Sequence, residues 1–146
     1  MKNPSSSMVT LVKRCKLFTG HTAQFAELGF GSAIIIGFGE YIPDLERHEW
    51  SLFISRAAWL LESETELLTA SQDPQTKLST HIAQLVGKQL EAITFSSPSL
   101  EAQFAFTGNF HLQTYPIYSE ERTHWVFFSP DEHELVIGPG NTWSYK

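Results

Sequence analysis

Large apolar residues alternate with polar ones through much of this chain. Phe30, Ile34 and Ile36 keep that beat, as do Phe106, Phe110 and Leu112, and a period of two is that of a strand with one face on a core. The pattern predicts a hairpin from 23–28 and 32–38 around Gly29-Phe30-Gly31, and a strand over 50–54. Further strands are predicted over 90–95, 100–106, 109–115, 125–128 and 134–137. Gly138-Pro139-Gly140-Asn141 breaks the last of these before Trp143. Residues 9–18 suit either a strand or a short amphipathic helix, and 1–8 read as a mobile tail. Residues 57–68 carry both periods: Leu60, Glu64, Leu67 and Leu68 have helical spacing, whereas a strand puts Glu62, Glu64 and Glu66 on one face. The clearest helix is 73–86. Asp73 suits its cap, Pro74 its first position, and Leu78, Ile82, Leu85 and Val86 form one apolar stripe before Gly87.

A block also recurs. Glu46-Arg47-His48-Glu49-Trp50-Ser51-Leu52-Phe53 returns as Glu121-Arg122-Thr123-His124-Trp125-Val126-Phe127-Phe128, with Glu, Arg, Trp and Phe in the same places at a shift of 75 residues. Upstream, the segment from Phe30 to Ile36 matches Phe106 to Leu112, and Leu17-Phe18-Thr19-Gly20 resembles Leu85-Val86-Gly87. These matches predict two similar halves, about 17–70 and 85–146, joined by the helix, and they favour the strand reading of 57–68. The expected fold is α+β, mainly β. It has twisted antiparallel sheets built from the two halves and one main helix, about 73–86, packed on a face. The whole of 1–146 is read as a single domain.

At 146 residues with eleven Phe and four Trp, the chain has apolar volume enough for a core without staples. One cysteine, Cys15, excludes an internal disulfide framework, and a reducing, cytoplasmic compartment is expected. No stretch has the length of a membrane-spanning helix, and the start lacks the apolar run of a signal peptide. Charge is unevenly spread. Lys2, Lys13, Arg14 and Lys16 precede residue 17 without an acid, and after them sixteen acids face six Lys and Arg, a balance of −10. Such a body disfavours nucleic acid, whose phosphates need a basic stripe, and suits a basic protein partner.

The candidates for chemistry are sparse. Two histidines precede Glu, at His48-Glu49 and His133-Glu134, but neither begins a His-Glu-x-x-His helix. A metal site would have to assemble in space from His111, His124 and His133. Glu46 and Glu121 are the carboxylates placed symmetrically by the repeat, yet each precedes an Arg, which lowers a carboxyl pKa when a general acid needs it raised. Cys15 has Arg14 and Lys16 beside it, which favour a thiolate, but no companion motif follows. The glycines at 29–31 and 37–39 lack the spacing of a phosphate loop. No catalytic residue, metal or cofactor is therefore expected. Trp50 and Trp125 read as core or sheet-face residues, and Trp59 and Trp143 as interface candidates. Glu62, Glu64 and Glu66 are the leading partner-facing patch, because like charges along one strand face repel until a cationic partner relieves them.

The layout of the last third resembles that of small acidic bacterial proteins of toxin–immunity loci. It runs from Leu85-Val86-Gly87 through a hairpin to Thr123-His124-Trp125-Val126-Phe127-Phe128-Ser129-Pro130-Asp131 and Gly138-Pro139-Gly140-Asn141-Thr142-Trp143. The resemblance covers about half the chain and implies a non-enzymatic protein that blocks a cognate toxin domain. No binding residue carries over from it position by position. The residues themselves give a partner-binding set of Glu62, Glu64, Glu66, Glu46, Glu121 and Trp59. Two other readings stand beside it: a small-molecule binder or enzyme with a pocket between the halves lined by Phe30, Phe106 and Phe110, and a protein that self-associates, as a homodimer, through exposed strand edges.

Overall fold

The structure, a computed structural model, describes residues 4–146, with side chains from Met8 onward. The chain opens with helix α1 (Pro4–Lys16). Of the residues read as a tail, 4–8 are helical, and the remainder lies outside the described residues. Proline suits a helix start, where its missing N–H costs nothing. Leu11 and Cys15, one turn apart, are buried, as is Phe18 just beyond the helix, so 9–18 follows the helical alternative.

Three strands follow as a meander: β1 (Ala23–Leu28), β2 (Ile34–Ile42) and β3 (Arg47–Ile54). A hairpin of β4 (Ala57–Glu62) and β5 (Leu67–Ala70) comes next. Residues 57–68 are thus strand, turn and strand. Ala57, Trp59 and Leu61 are buried while Ala58, Leu60 and Glu62 are half-buried, an alternation that a helix would have destroyed. Helix α2 (Gln75–Ile82) runs on into a 3-10 turn over Ala83–Leu85. Its stripe of Leu78, Ile82 and Leu85 is buried, but Val86 lies outside the helix and is exposed. Asp73 does not cap it. Its carboxylate turns back to accept from the Ala70 N–H and the Thr69 hydroxyl, both at 3.0 Å, and Pro74 takes the N-cap position. The second half continues with β6 (Leu90–Ser96), β7 (Glu101–Phe106), β8 (Phe110–Pro116), β9 (Trp125–Phe128), β10 (Glu134–Ile137) and the short β11 (Trp143–Tyr145).

The strands form two antiparallel sheets. One has the order β1-β2-β3-β9-β10-β11 and the other β5-β4-β8-β7-β6. Their inner faces pack together: Phe38 of β2 stacks on Phe106 of β7, and Trp125 of β9 meets Phe104 of β7 edge-on at 5.0 Å. The mainly β class and antiparallel sheets match the sequence reading, with two helices in place of one main helix.

A pseudo-two-fold relates the halves. Each runs helix, three-stranded meander, then a hairpin that crosses to the other sheet, so β1 to β5 correspond to β6 to β10 and the two sheets exchange. At the axis the hydrogen bonds come in symmetric pairs. The Gly20 N–H donates to the Leu90 carbonyl at 2.7 Å as the Gly87 N–H donates to Ala23 at 2.8 Å. The Ala23 N–H donates to Lys88 at 2.8 Å as the Leu90 N–H donates to His21 at 3.0 Å. Thr22 and Gln89 bridge between them. Both glycines hold left-handed backbone, with φ of 88° and 91°. In this symmetry Leu11 corresponds to Leu78, Cys15 to Ile82, Phe18 to Leu85 and Gly20 to Gly87, each 67 residues apart. The Trp50–Trp125 equivalence drawn from the recurring block is therefore corrected. Strands β3 and β9 are neighbours in one sheet, with Leu52 facing Phe127. The counterpart of Trp125 is Trp59, and these are the two largest fully buried side chains.

Candidate functional site: an acidic cleft at the β4–β5 turn

Serine makes the turn that ends β4. The Ser63 N–H donates to the Glu66 carbonyl at 2.9 Å, and its hydroxyl accepts from the N–H groups of Thr65 and Glu66 at 3.4 and 3.2 Å. Glu62, Glu64 and Glu66 therefore do not line one strand face, as their spacing suggested. Glu62 ends the strand and the other two project from the turn. The effect is to gather them around one open cleft of about 350 Å³, lined by the whole turn from Glu62 to Leu67 and by Asn109 and His111 of the β7–β8 hairpin. His111 lies opposite Glu62 across the β4–β8 ladder.

A polar relay fixes one wall. Gln113 donates its amide to the Glu62 carboxylate at 2.6 Å and accepts from the Tyr115 hydroxyl at 3.1 Å. The Tyr115 phenol is pushed above its ordinary value, first by desolvation and then by the charges of Glu101 and Glu62. Among the described residues no Lys or Arg lies within ion-pair distance of Glu62, Glu64 or Glu66. The cleft thus presents concentrated negative charge with one carboxylate already oriented, which suits an incoming ammonium or guanidinium group.

The other sequence candidates lie elsewhere. Glu46 holds left-handed backbone (φ 55°) after a 3-10 turn in the β2–β3 connection, and Glu121 is exposed in the crossing connection 117–124. Among the described residues neither Glu46 nor Glu121 forms an ion pair with the Arg that follows it. The Arg47 guanidinium is spent on the carbonyls of His48, Glu49 and Ser129 at 2.8 to 3.1 Å and lies over the Phe128 ring. Trp59 is corrected outright as an interface residue: it is buried between the sheets, and its indole N–H donates to the Ser32 carbonyl at 2.7 Å. Nor do Phe30, Phe106 and Phe110 line a common pocket. Phe30 is fully exposed at a turn tip, Phe106 is buried, and Phe110 lies under the Lys88 ammonium.

Cys15 gains nothing from its basic neighbours, because burial pushes its thiol up to about 12. His111 lines the cleft, His133 stacks on Tyr145 beside Asp131, and His124 is buried ahead of β9. No group of three His, Cys, Asp or Glu among the described residues is arranged to hold a metal ion. Sequence reasoning missed the counterpart of the acidic turn, which joins β9 to β10. Here Ser129 stands where Ser63 does, its hydroxyl accepting from the His133 N–H at 3.2 Å and donating to the Asp131 carboxylate. That bond and the His133 ring hold the Asp131 carboxyl below its ordinary value. The signal was available in the two serines, 66 residues apart.

No protein-family model, curated protein or solved structure matches the chain. Among the described residues no helix is long and apolar enough to cross a membrane.

Proposed function

We propose that this is a non-enzymatic binding protein of the immunity type, acting in the cytoplasm, which neutralises a basic toxin domain by seating the acidic β4–β5 turn over its cationic site. The observation that carries the reading is the convergence of Glu62, Glu64 and Glu66 on one cleft with no ion-paired Lys or Arg among the described residues. A toxin acting on nucleic acid or another polyanion displays basic residues at its site, and a preformed acidic cleft competes for them while steering the encounter.

The test is a tagged pull-down from the native host with wild type and with Glu62→Lys/Glu64→Lys/Glu66→Lys, followed by co-expression of the retained partner. The expected result is one basic protein, near stoichiometric on wild type and lost on the variant, that is toxic alone and harmless with wild type. A partner retained equally by the triple variant removes the acidic turn from the interface. A neutral or acidic partner removes the charge argument altogether.

A further inference from the structure

The halves cross between the sheets by connections of unequal length, and the pseudo-symmetry makes the difference informative. From β3 to β4 the chain uses only Ser55 and Arg56, whereas from β8 to β9 it uses 117–124. The offset that relates Trp59 to Trp125 also relates Ala58 to His124. At this place the fold is therefore satisfied by a short connection and a methyl group. In the second half it carries a strap and an imidazole that is 1% exposed. The strap is seated on two glycines of the turn 138–142. A methyl group on Gly138 would fall 2.8 Å from the His124 ring, and one on Gly140 would fall 2.5 Å from the Ser119 carbonyl oxygen. The turn is tied internally, with the Gly138 N–H donating to the Thr142 carbonyl at 2.7 Å and the Thr142 hydroxyl to the Pro139 carbonyl at 2.6 Å. The His124 ring donates to the Tyr118 carbonyl and so closes the strap on itself. Its Nε2 is buried against Gly138 with no hydrogen-bond partner.

We infer that the connection 117–124 is an acid-released strap, latched by the neutral His124 ring and opening locally, with both sheets intact, when that ring takes up a proton. Protonation adds an N–H at Nε2 where no acceptor waits, and a buried charged donor left unpaired is costly. The elements around the ring offer it nothing. The turn 138–142 has no titratable side chain, and Ile137 of β10, whose carbonyl accepts the His124 N–H at 2.7 Å, is apolar. The β3–β4 connection contributes Arg56, a second cation, whose backbone N–H donates to the His124 carbonyl at 3.4 Å. On the strap itself, Arg122 lies 5.8 Å over the Tyr118 ring, and Glu120 and Glu121 are exposed, neither of them ion-paired with His124 among the described residues. The charged ring is relieved by leaving its seat for water, and the strap leaves with it. Burial holds the ring below the ordinary 6.5 while the strap is closed, so opening becomes about tenfold more favourable for each pH unit from there down to the closed-state value. The acidic cleft plays no part, and the inference stands apart from the function proposed above.

Hydrogen exchange of the full chain, read by NMR at single amides from about pH 7.5 to about pH 5 and corrected for intrinsic rates, decides it. The amides of Ser55, Arg56 and His124, which donate across the strap's end, report the strap, and that of Phe104 in β7 reports the core. In wild type the strap amides are expected to exchange at least about tenfold faster than Phe104 and to lose about tenfold in protection per pH unit below 6.5. Low urea should leave them unchanged while it speeds Phe104, because a local opening exposes little surface. His124→Phe keeps a ring in the seat and removes the titration, so the pH dependence of the strap amides should vanish. Gly140→Ala presses on the Ser119 carbonyl and should speed the same amides at neutral pH. Strap amides that follow urea as Phe104 does overturn the inference, since the opening would then be global unfolding, and this comparison needs neither variant. A pH dependence that survives in His124→Phe overturns it too, as does a Gly140→Ala strap as well protected as wild type.

Discussion

At the scale of single residues, the buried polar groups determine what the protein tolerates. Trp59 combines a large apolar body with one satisfied N–H. Trp59→Phe removes that bond and part of the ring volume, for an expected loss of about 1–3 kcal/mol in urea unfolding. Because the residue faces the core, the variant should keep any partner affinity that the Glu62 turn confers. His124 gives a pH signature. Burial holds its pKa below the ordinary 6.5, against a smaller opposing contribution from the Tyr118 carbonyl. The unfolded chain therefore binds this proton first. The contribution of this group to stability is complete above pH 6.5 and declines as the pH falls from there toward the folded-state value. Unfolding free energies measured across that interval should slope downward toward acid for wild type and flatten in His124→Asn. A slope that survives the substitution would assign it to another group.

At the scale of elements, the axis between the halves rests on two glycines that do the same work. Both have left-handed backbone, and a methyl group at either position would meet no atom within 4 Å. The cost of Gly20→Ala or Gly87→Ala is therefore conformational rather than steric, about 1 kcal/mol each, and thermal unfolding should show nearly equal losses for the two. A clear inequality would mean that the local symmetry of hydrogen bonds does not extend to energetics. Gly37 is different. A methyl group there would run into the His48 ring on the outer face, so its requirement is one of space. The acidic turn illustrates how an element overrides spacing. Glutamates two apart suggest a strand face, but a serine with free N–H groups two and three residues ahead closes a turn instead.

For the whole molecule, the sequence displayed its strands far better than its symmetry. Alternation located eight of the eleven strands, because one buried face imposes a period of two wherever a sheet covers a core, whereas β4 and β5 lay in a single segment, 57–68, that carried both periods. The three residues of β11, after Gly138-Pro139-Gly140-Asn141, were too short to show any period. The helix ends were misjudged where local chemistry competed, as when Asp73 served the preceding turn in place of the helix. The repeat was misaligned for a physical reason: residue identity drew Trp50 toward Trp125, whereas the fold preserves burial and backbone conformation. The pairs Cys15–Ile82 and Phe18–Leu85 share little beyond being apolar, and of the four pairs only Leu11–Leu78 and Gly20–Gly87 are identities. The acidic residues of the cleft were identifiable by type, but their convergence required the turn.

The exchange of hairpins between sheets has a consequence for how the chain can be divided. Strands β4 and β5 belong by sequence to the first half and by pairing to the sheet that β6, β7 and β8 begin. Strands β9 and β10 repay the arrangement in the other direction. Neither half owns a finished sheet, and a cut in the short connection 71–74 would yield two fragments, each with an orphaned hairpin that only the other could receive. The molecule is in that sense an obligate pair of interlocked subunits carried on one chain, assembled through distant contacts that must form before either sheet is complete. That linker fixes the stoichiometry of the two pieces, while the two crossing connections hold them together.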